Sequence, residues 1–326
     1  MNRRDTLAAF VAFGGGSHAA RAQPAARIAR IGFLSFNQGG DPRGRDGFIN
    51  GLRALGYADG RNVVLDDRDA DGRIDRLPAL AAELVALKVD VIVAPSTPAA
   101  QAAKQATTTI PIVFAGAAEP VTDGLVVSLA RPGGNLTGLS NVSADLVGKR
   151  LELLKQAVPK LTRVAVFWHP APGRTDEDML KTADAAARAL GMQLQPVEAR
   201  GPADFDRAFA DVARAGAGAL TVLPIATFFS ERRRIIEMAA RNRMPAMYTS
   251  RRFVEDGGLM AYGADLTDLL RRAATYADRI LKGARPSDLP VEQATKFELV
   301  INRGTAKALG LTIPQSVLLS ADEVIG

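Results

Sequence analysis

Hydroxyls, a single tryptophan and a few charges stand where this chain could grip a small molecule. Ser96 and Thr97 lie between the apolar run Val89–Ala94 and a helix-forming stretch that opens at Pro98. Hydroxyls beside the unpaired N–H groups of a helix start can cradle a carboxylate, and a plain helix cap uses the same residues. Gly116 follows the next apolar run, Pro111–Ala115, and would let backbone approach a ligand. Glu119, before Pro120, could accept an ammonium or simply favour the positive end of a helix. Trp168 could wall a pocket or pack at its rim, and His169 beside it could donate or accept a hydrogen bond. Farther along stand Thr227 and the run 248–252. There Tyr248 can stack, Ser250 can hydrogen-bond and Arg252 can pair bidentately with a carboxylate. Asn37, in the turn after the first apolar run, completes the candidate ligand-binding set.

Other chemistries lack their residues. The chain has no cysteine and two histidines, which rules out disulfides and thiolate metal sites and disfavours a histidine-based metal site or triad. The first strand–helix turn, residues 36–41, lacks the G-x-G-x-x-G spacing of a dinucleotide fold, and no phosphate-binding loop, nucleophile elbow or H-E-x-x-H occurs. We therefore expect no enzyme, cofactor or metal. The formal charge is +6, with arginines clustered at 232–234, at 241 and 243, and at 251–252. Each cluster falls in or beside a helical pattern, so solvated helix faces explain them, and no nucleic-acid motif accompanies them. We expect no nucleic-acid partner.

The elements that must position the candidate residues alternate between strand and helix. Arg30–Phe36, Asn62–Asp67, Val89–Ala94 and Pro111–Ala115 read as strands. Helical patterns at Asp46–Leu55, Ile74–Leu87 and Pro98–Thr107 separate them. Such alternation predicts parallel sheets covered by helices on both faces. The pattern then recurs about 130–135 residues later: residues 163–167 match the first strand, 188–192 match 53–57, 219–224 match 90–95 and 244–248 match 110–114. A period of that length is a domain, so 326 residues hold two similar α/β lobes. Parallel sheets bind ligands at the carboxyl ends of their strands, so the ligand belongs between the lobes.

The N-terminus reads as an export signal over residues 1–27. Arg3 and Arg4 precede the short apolar stretch Leu7–Phe13, and Ala20-Arg21-Ala22 precedes Gln23. The paired arginines resemble a twin-arginine signal. The apolar stretch is too short to span a bilayer.

The mature chain resembles the ABC transporter substrate-binding proteins that include tryptophan and tyrosine binders. The likeness rests on residues 75–85, 110–116, 128–140, 257–263 and 295–302, which read DRLPALAAELV, IPIVFAG, SLARPGGNLTGLS, GGLMAYG and TKFELVIN. It implies a type I periplasmic-binding-protein-like fold, two Rossmann-like lobes joined by a three-crossover hinge. It further implies lobe 1 as residues 28–138 plus 264–297 and lobe 2 as residues 139–263 plus 298–326. The implied function is capture of a small solute, such as an amino acid or aromatic carboxylate, by hinge closure. The implied partners are an ABC permease and its ATPase, the location is the periplasm, and a monomer suffices. A binding protein feeding a separate sensor and a Rossmann-like enzyme are the alternatives. Many relatives carry Asp before the proline where this chain has Glu119, and Asn near the position of Trp168.

Overall fold

The computed structural model describes residues 28–37, 42–143, 145–170 and 175–326. The export signal expected at 1–27 lies outside them, as do residues 38–41 of the first strand–helix turn. The chain begins with β1 (Ala29–Ser35), α1 (Pro42–Ala54), β2 (Val63–Asp69) and α2 (Leu77–Ala86). It continues through β3 (Val91–Ala94), α3 (Thr97–Ala106), β4 (Ile112–Ala117) and β5 (Leu136–Ser140). The second series is α4 (Val147–Ala157), β6 (Arg163–Trp168), α5 (Thr175–Ala189), β7 (Gln193–Glu198), α6 (Phe205–Arg214) and β8 (Ala219–Val222). Then come α7 (Ala226–Ser230), α8 (Arg232–Arg241), β9 (Ala246–Tyr248), α9 (Arg251–Glu255), β10 (Met260–Ala264) and α10 (Leu266–Leu281). The last elements are β11 (Glu292–Gln293), β12 (Phe297–Asn302), α11 (Arg303–Ala308), α12 (Gln315–Leu319) and β13 (Glu323–Ile325).

The repeat read from sequence is a repeat in space. One sheet has the order β11-β5-β4-β3-β1-β2, the other β13-β12-β10-β9-β8-β6-β7. Within each, five strands follow the same path, with β5-β4-β3-β1-β2 answered by β10-β9-β8-β6-β7. The pairs inside these runs are parallel. β12 departs from the expected all-parallel pattern and runs antiparallel to β10.

Strand alternation splits each core in two, because successive side chains point to opposite faces. Ile31, Phe33, Val91 and Val93 face α1 and α10, where they meet Phe48, Leu52, Leu269 and Ala273. Leu34, Ile92 and Phe114 face α2 and α3. In the second lobe Val164 and Val166 turn toward α4 and α5, while Ala165 and Phe167 turn toward α6 and α8.

The chain crosses between lobes at three places. After β5 it enters α4, which packs on β8, β9 and β10. After β10 it enters α10, which packs back on α1, β3 and β4. The third crossing joins β11 to β12. The lobe boundary expected after residue 138 falls inside β5, because that strand stays paired with β4 through Ser140.

Small residues make the contact between α1 and α10 possible. Gly44, Gly47 and Gly51 recur on one face of α1. A Cβ on Gly47 would stand 2.6 Å from the Thr267 carbonyl oxygen, and one on Gly51 2.4 Å from that of Arg271. Backbone cannot swing aside as a side chain can. Gly51→Ala should therefore destabilise the protein by about 1–3 kcal/mol, the usual cost of overpacking, despite the better helix propensity of alanine. A lower urea midpoint at unchanged slope checks this; an unchanged midpoint would show that the helices separate freely.

Candidate functional site

A cavity of about 550 Å³ lies between the lobes, at the carboxyl ends of both sheets. Ligand pockets span about 300–1,000 Å³, so the space suits a small molecule. Each nearby strand ends in residues that line it. Phe36 and Asn37 follow β1, Ser96 and Thr97 follow β3, and Gly116 closes β4. From the other lobe come His169 after β6, Ile225 and Thr227 after β8, and Thr249 and Ser250 after β9. Asn141 and Ser143, from the first crossing, form part of the lining.

Six of the ten expected residues line this cavity: Asn37, Ser96, Thr97, Gly116, Thr227 and Ser250. Ser96 caps α3, its hydroxyl accepting from the Ala99 N–H at 3.4 Å. The cap and the cavity lining are thus one residue. Thr97 Oγ1 stands 3.4 Å from an Asp123 carboxylate oxygen. Gly116 adopts φ 91°, where a side chain would be strained, and its carbonyl accepts from Asn141 Nδ2 at 2.8 Å. The Ser250 hydroxyl is buried without a hydrogen-bond partner among the described residues. A bound polar group would satisfy it, whereas leaving it bare costs about 1–3 kcal/mol.

The other four expected residues do not line the cavity. Tyr248 is 1% exposed and stacks on Phe253 with ring centroids 4.6 Å apart, because its place in β9 turns it into the core. Burial pushes its phenol pKa up. Arg252 lies on α9, pairing with Glu255 at 3.3 Å and lying 3.8 Å from Asp256, the helical neighbours three and four residues on. Trp168 packs half-buried against the core beneath α4 and α5. Glu119 is half-buried, its carboxyl pushed up first by burial and then by Asp145 and Asp123.

The sequence reading overlooked the cavity's acids and most of its apolar wall. Phe36 and Ile74 from one lobe and Ile225 and Phe229 from the other supply apolar surface. Asp123 and Asp176 line it from opposite lobes. Burial first, and then Asp123, push the Asp176 carboxyl up to about 6. Among the described residues two arginines line it as well, but each has a carboxylate of its own: Arg45 holds Asp67 at 2.8 and 2.5 Å, and Arg200 holds Glu198 at 2.7 Å. Among the described residues no three His, Asp or Glu side chains gather as metal ligands would, and no helix is long and apolar enough to cross a membrane.

Residues 38–325 match the family model described as ABC transporter substrate binding protein. A tyrosine-binding protein of Clostridioides difficile (strain R20291) is 30% identical over 285 residues, covering 86% of this chain and 79% of the relative. A Streptococcus pneumonia ABC domain solved in complex with L-Trp superimposes with TM-score 0.84 at 28% identity, over 91% of this chain and 99% of that one. The ligand-free, open structure of a Clostridium difficile substrate-binding protein with adhesive properties gives TM-score 0.69 at 27% identity, with the same coverage of both chains.

The raised pKa of Asp176 has a thermodynamic sign. Its folded value lies above the ordinary 3.8, so it contributes stability that is present below about pH 4 and lost as pH rises through about 6. Asp176→Asn should therefore melt higher than the parent protein at neutral pH, with the gap closing as pH falls to about 4. Thermal unfolding across that range checks it; a gap that does not depend on pH would mean the carboxyl is not perturbed.

Proposed function

Because the chain belongs to the ABC transporter substrate-binding protein family, we propose that it captures a small aromatic amino acid between its lobes outside the cytoplasm and delivers it to an ABC permease and ATPase. One observation carries the choice of ligand. The cavity sets the start of α3, with the Ser96 and Thr97 hydroxyls, across from the apolar Ile225 and Phe229 of the other lobe. A carboxylate suits the first side, where the N–H groups at the start of α3 concentrate positive potential. An indole or phenol ring suits the second, where burial of its faces gains about 25 cal/mol per Å². The tyrosine-binding and L-Trp-bound relatives support the same class of ligand.

Closure by a hinge is the working motion of this reading. The likeness to the L-Trp complex exceeds the likeness to the open, ligand-free relative at nearly equal identity, which supports a closed arrangement of the lobes here. Contacts between lobes agree with it. Asn37 Nδ2 donates to Ser230 Oγ at 3.2 Å, and Arg43 on α1 pairs with Glu255 on α9 at 2.6 Å. Both partners of the ion pair are partly solvated, so it adds about 0.2–1 kcal/mol to closure. Arg43→Ala should then weaken ligand binding by no more than about fivefold, mainly through faster release. A loss of a hundredfold in calorimetry would mean that Arg43 itself touches the ligand.

The reading as a whole is tested on protein unfolded and refolded to shed co-purified ligand. At 100 times its dissociation constant a ligand stabilises by about 2.7 kcal/mol, a visible rise in melting temperature. Tryptophan or tyrosine should produce that rise. A rise with sugars, and none with any aromatic amino acid, would overturn the choice of ligand.

A further inference from the structure

Lobe closure brings one carboxylate from each side to the same cavity. Asp123 belongs to the loop after β4, and Asp176 to the first turn of α5 in the opposite lobe. The arrangement is unfavourable as it stands, since like charges and burial both oppose ionisation. Among the described residues, the arginines that line the cavity do not resolve it. Arg45 and Arg200 are engaged by Asp67 and Glu198, neither of which lines the cavity. Asp176 makes no hydrogen bond to the described residues.

We propose that Asp176 is a specificity-determining residue that receives a protonated amine of the ligand, so that the cleft selects amine-bearing ligands over their deaminated counterparts. This rests on the reading of the cavity as the ligand site, and it adds the second charged end of the ligand. Geometry gives the physical reason. The N–H groups at the start of α3 favour negative charge on the lobe-1 side, where Thr97 already stands 3.4 Å from Asp123, while Asp176 supplies an acceptor-only group from lobe 2. A zwitterion laid across the cleft would bridge the lobes with one charge on each. Selection through Asp176 would then act only in the closed form, since it reaches the cavity from the lobe opposite α3. The raised pKa of Asp176 agrees: it is the state of a carboxylate held in a buried place beside another acid, and a bound ammonium would bring it down again. His169 and Asp123 line the same cavity and share in its field, so the role is assigned by the variant rather than by a pH profile.

The test compares amino acids with their deaminated acids. Calorimetry at neutral pH would use L-tyrosine, L-tryptophan and L-leucine, each beside the matching acid without its amine, on the full mature protein. The parent protein should prefer the amine-bearing member of whichever pair binds by tenfold or more. Asp176→Asn should reduce that preference about tenfold, equivalent to about 1.4 kcal/mol. The deaminated acid should bind the variant at least as well as it binds the parent, which a merely damaged cleft would not do. An undiminished preference in the variant would overturn the role of Asp176 and leave the aromatic reading standing. So would a parent protein that binds tyrosine and its deaminated acid alike. If only the leucine pair binds and its preference collapses in the variant, the aromatic reading falls and the amine site stands. Silence from every probe overturns both.

Discussion

Arg150 is 1% exposed, and its guanidinium is solvated by carbonyl oxygens instead of water. Its Nε donates to the Tyr262 carbonyl at 2.8 Å and one terminal nitrogen to that of Ser143 at 3.2 Å. The first acceptor lies in β10 and the second in the segment that leaves β5, so one side chain on α4 ties two of the three crossings together. Burial pushes its pKa down to about 10, which still leaves it charged at neutral pH. A lysine could not replace it, because a planar fork reaches two diverging carbonyls where a single ammonium cannot. The same crossing segment supplies Asn141 and Ser143 to the cavity, with the Ser143 N–H donating to Asn141 Oδ1 at 3.0 Å. The hinge and the floor of the cleft are therefore one hydrogen-bonded piece.

From that tie the rest of the architecture follows. With the crossings held together, the two lobes join at one place. Rigidity comes from interleaving. α4 leaves the first sheet to cover the second, and α10 leaves the second to cover the first. Glycines allow the backbone approaches at the crossings: a Cβ on Gly138 would fall 1.9 Å from the Phe114 carbonyl oxygen, and one on Gly263 2.0 Å from that of Thr249.

The cleft shows how a binding protein can be charged without being sticky. Its arginines are held in ion pairs directed out of the cavity, and its hydroxyls and acids face in. The apolar residues are shared between lobes, so neither lobe alone presents a complete apolar pocket to solvent. Large exposed apolar patches invite association, and dividing the surface between two halves keeps each share small.

Much of this was legible in the order of residues. The repeat at about 130–135 residues gave two lobes, and the alternation of apolar runs with helical stretches gave parallel sheets. Asn37, Ser96, Thr97, Gly116, Thr227 and Ser250 could be placed at the cleft because each stands at or beyond the end of a strand, and the carboxyl ends of parallel strands share one edge. Tyr248, Trp168, Arg252 and Glu119 could not be placed that way. For the first two, which face the side chain takes depends on strand parity at its last residue. For Arg252 it depends on which side of a five-residue helix meets solvent, and for Glu119 on the path of a loop. Asp123 and Asp176 lie farther still from any strand end, some fifty residues apart in the chain. Local pattern thus determined the lobes and the edge where a ligand belongs. Only the tertiary structure, by folding one lobe over the other, decided which charges meet there, because charges are read through space and periodicity is read along the chain.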